Sequence, residues 1–241
     1  MYRLVSKIRG KWKGLAGSAG GGRPEEALKL LDSGFHGDRY LLAMIDSVVK
    51  DCTWFIETGT NAGSTLAYMA RTYNFLRCLS CEPDKQAFSH AVKNTSPYEN
   101  VLILNEMSQE LIRIIKKKYG SIFHENVLFW LDAHGYGFDW PLRSELEFIT
   151  SHFENAFIFI DDFKVPDLDC FAYHTYKDQV CSFDYVRASI RRDDFSLYYP
   201  YYTDRTSAYH PLTGWGLIAI GGEHRESIVP EGLKGKIRRA I

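Results

Sequence analysis

The sequence predicts an α/β protein built on a doubly wound, mostly parallel sheet, and three observations carry that prediction. Between residues 51 and 163, five short apolar runs alternate with helix-like segments. Four of the five runs end in acids, at Glu57, Glu82, Asp132 and the pair Asp161–Asp162. The first run passes into a glycine turn and a helix start, TWFIETGTNAGST from Thr53 to Thr65. A buried strand, an acidic tip, a glycine turn and a helix N-terminus form the opening unit of a nucleotide-binding sheet. Gly59 and Gly63 let the backbone turn tightly and approach a ligand that a Cβ would push away.

Taken in order, the chain begins with MYRLVSKIRGKWKGLAG, whose Arg3, Lys7, Arg9, Lys11 and Lys13 are interleaved with apolar residues. This is either a solvated tail, weakened as a helix by Gly10 and Gly14, or a basic amphipathic segment able to touch an anionic membrane surface or a partner. SAGGGRP at 18–24 reads as a linker, so residues 1–23 are a tail and 24–241 one domain. Within it, 24–50 supply two N-terminal helices, PEEALKLLDSG and HGDRYLLAMIDSVVK. The core spans 51–163, and 164–241 form the closing part. The core strands read as Thr53–Ile56, Arg77–Cys81, Val101–Leu104, Val127–Leu131 and Ala156–Ile160. Helices follow the first four, at Leu66–Tyr73, in DKQAFSHAVKNT, at Ser108–Tyr119 and at Pro141–Ser151. Phe195–Tyr199 and Trp215–Ile220 read as two further strands with no helix between them, an antiparallel closing pair.

Composition narrows the function classes. The chain has 241 residues, 45% of them hydrophobic, which suits one large α/β domain. A formal charge of −1 gives no basic surface of the kind nucleic acid requires. The 15 Tyr, 15 Phe and 5 Trp point to an aromatic core or an aromatic-lined pocket. Five cysteines in a chain of this length do not make a disulfide framework. Cys78 and Cys81 lie three apart on a strand, so they leave opposite faces and share neither a metal nor a bond. No apolar run approaches the roughly 18–20 residues of a membrane span, and no signal-peptide core is present, so a cytoplasmic location is expected.

The acids at the strand ends are the chemical signal, because ligands of such sheets bind outside the carboxyl ends of the strands. Glu82 lies 25 residues after Glu57 and 19 after Gly63, where an acid can hold both hydroxyls of a ribose. The first loop has neither the G-x-G-x-x-G spacing of dinucleotide folds nor a P-loop G-K-[ST]. Its E-x-G-x-x-x-G-[ST] pattern favours a nucleoside without a pyrophosphate, S-adenosylmethionine before NAD or ATP. Asp132, Asp161 and Asp162 come from neighbouring strands and would repel one another, a cost that a hard divalent cation, Mg²⁺ or Mn²⁺, removes. Either aspartate of the pair would otherwise serve as a cap. His134, two residues beyond Asp132, is a candidate general base, with Lys164 and Tyr136 as the other candidates. His90, His124, His152, His174 and His224 show no ligand spacing and read as structural or surface groups.

FIETGTNAGST, CEPD, FWLDAHG, WPLRSELEFI and FIDDF, in this order, resemble the class I S-adenosylmethionine-dependent methyltransferases. They are most similar to a bacterial branch with LDAH and IDD elements, related to metal-dependent sugar O-methyltransferases. The resemblance covers about Asp51 to Phe163. It implies a Rossmann-like doubly wound seven-stranded sheet, mostly parallel with a closing antiparallel strand. It also implies that Asp132, Asp161 and Asp162 hold Mg²⁺ (or Mn²⁺). The cofactor would lie against Glu57, Gly59, Thr60, Asn61, Gly63, Ser64, Glu82 and Asp132, with Met107 and Ser108 standing where the family carries a G-D-S by the adenine. The sugar enzymes have an aspartate where this chain has His134, which leaves the base open. The expected reaction is methyl transfer to a small-molecule hydroxyl, on a sugar or a phenol, with the aromatic stretch Tyr198–His210 and Trp215 walling the acceptor pocket. Metal chemistry without methyl transfer, and a non-catalytic scaffold, are the rival readings. Whether the chain forms a homo-oligomer stays open.

Overall fold

The apolar run WFIET becomes strand β1 (Trp54–Thr58), buried along its whole length in the middle of a sheet. The computed structural model describes residues 34–133, 140–204, 212–222 and 228–241. The basic tail, the linker, the first N-terminal helix, His134 and Tyr136 therefore lie outside the described residues. Strands β2 (Arg77–Cys81), β3 (Val101–Leu104), β4 (Asn126–Leu131) and β5 (Asn155–Ile160) pair in parallel with β1 in the spatial order β3-β2-β1-β4-β5. These strands read as unbroken apolar runs because both faces of the sheet are covered.

The helices supply the cover: α1 (Arg39–Val49), α2 (Ser64–Thr72), α3 (Lys85–Thr95), α4 (Ser108–Lys118) and α5 (Leu142–His152). Right-handed crossovers send the chain one way from β1 to β3 and the other way through β4 and β5, so α2 and α3 pack together on one face and α4 and α5 on the other. The switch falls between β1 and β4, where such sheets open a crevice.

Beyond β5, a two-stranded hairpin, β6 (Thr175–Tyr176) and β7 (Gln179–Val180), and a short α6 (Phe183–Val186) precede the closing strands. β9 (Gly216–Ile220) runs antiparallel between β5 and β8 (Phe195–Pro200). β10 (Ile237–Arg239) then pairs antiparallel with β8. The expected seven-stranded sheet thus gains an eighth strand, whose three residues, two of them arginines, show no period to read. All five cysteines are free, and only Cys170 is exposed.

The start of the second N-terminal helix differs from expectation. Residues Gly34–Gly37 form a separate 3₁₀ turn, and α1 begins at Arg39, where the Asp38 carboxylate accepts from the N–H groups of Tyr40 and Leu41. The other carboxylate oxygen of Asp38 takes the Tyr202 hydroxyl, which also accepts from the Trp215 indole at 3.2 Å. Arg39, Tyr40 and Lys236 all bond Asp204, so α1 is tied to the connection after β8 and to the approach to β10.

One buried group is left poorly served. Glu145 in the first turn of α5 is 1% exposed, facing the hydroxyls of Thr58 and Ser108 without a well-formed hydrogen bond to any of its oxygens. Burial pushes it up to about 7 from 4.5, with the two hydroxyls pulling weakly the other way. The unfolded chain therefore ionises first, and the native state loses stability as pH rises from 4.5 to 7, by an amount on the order of 3 kcal/mol. In Glu145→Gln this window is absent. Urea denaturation should show the variant gaining about 1–3 kcal/mol on the parent between pH 5 and pH 8; a constant difference across that range would contradict a protonated Glu145.

Candidate functional site

The carboxyl edge of β1, β2, β4 and β5 brings the predicted acids together, and register explains how. Thr58 pairs with Leu131 and Leu131 with Ile160, and the ladder runs one step further, with the Asp132 N–H on Thr58 O and the Asp161 N–H on Leu131 O. Asp132 and Asp161 are thus neighbours across two strands. Asp162 follows with φ +52°, a left-handed conformation that costs an L residue about 1–2 kcal/mol and is held when the surroundings demand it. Here Asp162 O accepts the His174 N–H and the Asp161 carboxylate accepts the Asp162 N–H, both holding the bend. One oxygen from each of Asp132, Asp161 and Asp162 lies within 4.8 Å of the others.

Electrostatics at this cluster are costly as it stands. Burial, then the charges of Asp161 and Asp162, hold Asp132 well above the usual carboxylate range. A donor set of three carboxylates at this spacing fits a hard divalent cation, and the cation would supply the missing positive charge.

The glycine loop lies beside it. Gly59 and Thr60 both donate N–H to Cys81 O, Gly63 donates to Thr60 O, and Gly59, Asn61 and Gly63 have φ of +82°, +48° and +81°. Glu82 fastens the loop, Oε2 accepting the Asn61 N–H at 2.7 Å and Oε1 the Asp84 N–H at 2.9 Å. Asp84 in turn caps α3. Met107 is the N-cap of α4 and half-buried, and Ser108 follows, buried, at the helix start. Ser64 opens α2, where unpaired backbone N–H groups make a site for negative charge.

Glu57, an expected cofactor residue, lies beneath the loop and is linked to Thr60 in it through Ser80. Glu57 is 1% exposed and accepts from Ser80 Oγ at 2.7 Å, and Ser80 Oγ meets Thr60 Oγ1 at 2.5 Å. The single Ser80 proton goes to Glu57, so Thr60 donates to Ser80. Burial pushes Glu57 up to about 8, the Ser80 hydrogen bond opposing and the nearby Glu82 charge adding to the rise. Trp215 is wholly buried against Phe159 and lines no open pocket. The Lys164 ammonium sits 5.5 Å from the Tyr173 ring centroid.

His36 was not expected here. The turn Gly34–Gly37 carries its imidazole to the acid cluster, where Nε2 lies 2.7 Å from Asp161 Oδ2. Burial lowers the His36 pKa, but Asp161, Asp162 and Asp38 outweigh it and raise it. No local signal reveals this contact, because the two residues are 125 positions apart. The flanking Gly34 and Gly37 were the one hint of a turn in place of a helix start.

No family model and no curated protein sequence matches the chain. Solved structures do match in fold. A Klebsiella pneumoniae protein assigned as an O-methyltransferase aligns over 91% of this chain and 96% of its own at 14% identity, TM-score 0.55. The cofactor-bound protein Rv0187 of MTB aligns over 91% and 97% at 12% identity, TM-score 0.50. A spermidine synthase of Thermotoga maritima aligns over 83% and 66% at 12% identity, TM-score 0.51. The likeness is one of fold, and it is the Rossmann-like fold that the ordered motifs imply.

The contact between the glycine loop and the β4 tip is open to a direct test. A Cβ on Gly59 would lie 2.6 Å from Asp132 O and 2.8 Å from its carbonyl carbon, at a φ that already strains an L residue. Gly59→Ala should cost at least about 2 kcal/mol in urea denaturation. Gly120→Ala, with nothing within 4 Å of its Cβ, should change stability little. Equal effects at the two positions would show that the loop does not depend on this approach.

Proposed function

We propose that the chain is an S-adenosylmethionine-dependent O-methyltransferase that uses a divalent cation, Mg²⁺ or Mn²⁺, to present a small-molecule hydroxyl, on a sugar or a phenol, to the methyl donor. The observation that carries this reading is the juxtaposition at one sheet edge of a glycine loop fastened to Glu82 and a cluster of three carboxylates. The first suits a nucleoside and the second a hard cation.

Each Glu82 oxygen accepts one backbone N–H and keeps a further lone pair, so the carboxylate can also accept the two hydroxyls of a ribose. Gly59, Asn61, Gly63 and Ser64 offer backbone close to the methionine end, while Glu57 and Thr60 brace the loop from below through Ser80. Met107 and Ser108 flank the adenine end. Asp132, Asp161 and Asp162 would hold the divalent cation, which would lower the pKa of the acceptor hydroxyl and fix its oxygen. His134, two residues beyond Asp132, takes the hydroxyl proton, with Tyr136 and Lys164 as the other candidates. With S-adenosylmethionine bound, the acceptor oxygen would attack the sulfonium methyl in line, the O–CH₃ bond forming as the S–CH₃ bond breaks and S-adenosylhomocysteine leaves. The residues contribute mainly orientation and charge stabilisation. The same reading sets the enzyme in the cytoplasm, with a small-molecule acceptor and no nucleic acid; no described helix is long and apolar enough to cross a membrane.

The rival readings are metal-dependent chemistry without methyl transfer on the same fold, and a non-catalytic scaffold. Calorimetric titration of S-adenosylhomocysteine, with Mg²⁺ and with EDTA, is the test of the cofactor. Binding should be micromolar, independent of the metal, weakened at least about tenfold in Glu82→Ala and unchanged in Asp161→Ala. Absence of binding under both conditions would remove the methyltransferase reading and leave these rivals.

A further inference from the structure

His36 reaches the acid cluster from an element remote from it in sequence, and the chemistry of the contact defines its direction. An ionised carboxylate only accepts, so at 2.7 Å His36 Nε2 carries the hydrogen and Asp161 Oδ2 receives it. The other oxygen of Asp161, Oδ1, takes the Asp162 N–H at 2.9 Å. Two donors, one on each oxygen, fix the rotation of the Asp161 carboxylate. Its side chain is 3% exposed and that of His36 30% exposed. The donors within 4.8 Å of one another are the three carboxylates, and that set does not extend to the imidazole. His36 therefore stands one hydrogen bond away from where a cation would lie.

The turn that delivers it is over-determined. Phe35 and His36 are consecutive left-handed residues, φ +55° and +58°, at about 1–2 kcal/mol each. Phe35 offsets this by burial, its ring edge-on to Trp130, Tyr68 and Phe55 at 4.8, 6.0 and 6.4 Å. On the other side Asp38 caps α1 and takes the Tyr202 hydroxyl. Glycine or asparagine would make this turn with less strain, but neither reaches Asp161 as an imidazole does.

We propose that His36 is a positioning residue of the divalent-cation site, holding Asp161 through its Nε2–H so that three carboxylates meet the cation in one arrangement. The proposal rests on the cation reading above. Groups that orient metal ligands in this way typically change affinity by about 10- to 100-fold when removed.

The experiment uses Mn²⁺ alone as the probe, titrated into the full chain and followed by calorimetry and by electron paramagnetic resonance. His36→Asn keeps a residue that tolerates the left-handed turn but is too short to reach Asp161, and His36→Gln restores an N–H donor at nearly the imidazole distance. The expected result is Mn²⁺ binding by the parent chain, weakened about 10- to 100-fold in His36→Asn and largely recovered in His36→Gln. Parent and His36→Asn binding Mn²⁺ equally would overturn the assignment. So would a ¹⁴N coupling to bound Mn²⁺ that disappears in His36→Gln, because it would make His36 a ligand. Failure of the parent itself to bind Mn²⁺ would remove the cation reading, a result distinct from either of these.

Discussion

The parallel register of β1, β4 and β5 determines where each acid at the carboxyl edge stands. Because the ladder continues one residue past the strands, Asp132 and Asp161 end at the same level on adjacent strands, and Asp162 turns back beside them. A slip of one residue in either strand would send these side chains to opposite faces of the sheet. The register is held by buried apolar residues such as Ile56 on β1, Phe129 on β4 and Ile158 on β5. The site therefore draws its precision from apolar packing, and its cost in like charge is borne by the same core.

That cost is handled in three different ways within a few strand tips. Glu57 is sealed and raised toward neutrality by burial, with Ser80 and Thr60 as its hydrogen-bond chain. Glu82 is kept in place by two backbone N–H groups. The aspartate cluster combines the two remedies: Asp132 is buried and raised, and Asp161 accepts from His36 and from the Asp162 N–H. Three carboxylates with one oxygen each within 4.8 Å of the others still repel, and a divalent cation would offset that repulsion.

Strands and acids were legible in the sequence because apolar runs ending in a charged residue are local patterns, and VLFWLD and FIFIDD each carry strand and tip together. The glycine loop was legible for the same reason. Asp38 as the cap of α1 was missed because the preceding HG reads equally well as a helix start, and only the fold shows Gly34–Gly37 turning separately. β10 was missed because three residues give no alternation. Glu145 looks like an ordinary first-turn acid of an exposed helix, and its burial follows from α4 packing over it. Trp215, expected on a pocket wall, is enclosed because the residues after it enter the sheet between β5 and β8.

These failures share a physical cause that divides the site in two. The glycine loop and the Glu82 tip, from which most of the expected cofactor residues come, are built from one contiguous stretch and the next strand tip, so their pattern can be read from spacing. The aspartate cluster is assembled from residues brought together across the chain: Asp132 and Asp161 on their strands, His174 bonding Asp162 O, and the Gly34–Gly37 turn bringing His36 to Asp161. The turn is seated by Phe35 in the core and by Asp38 on Tyr202, itself braced by Trp215. The seating of the turn thus depends on the contacts of Asp38 with Tyr202 and of Tyr202 with Trp215, which no local pattern encodes. The glycine loop is legible in the sequence and the surroundings of the aspartate cluster are not, because the first is held by neighbours in the chain and the second by neighbours in space.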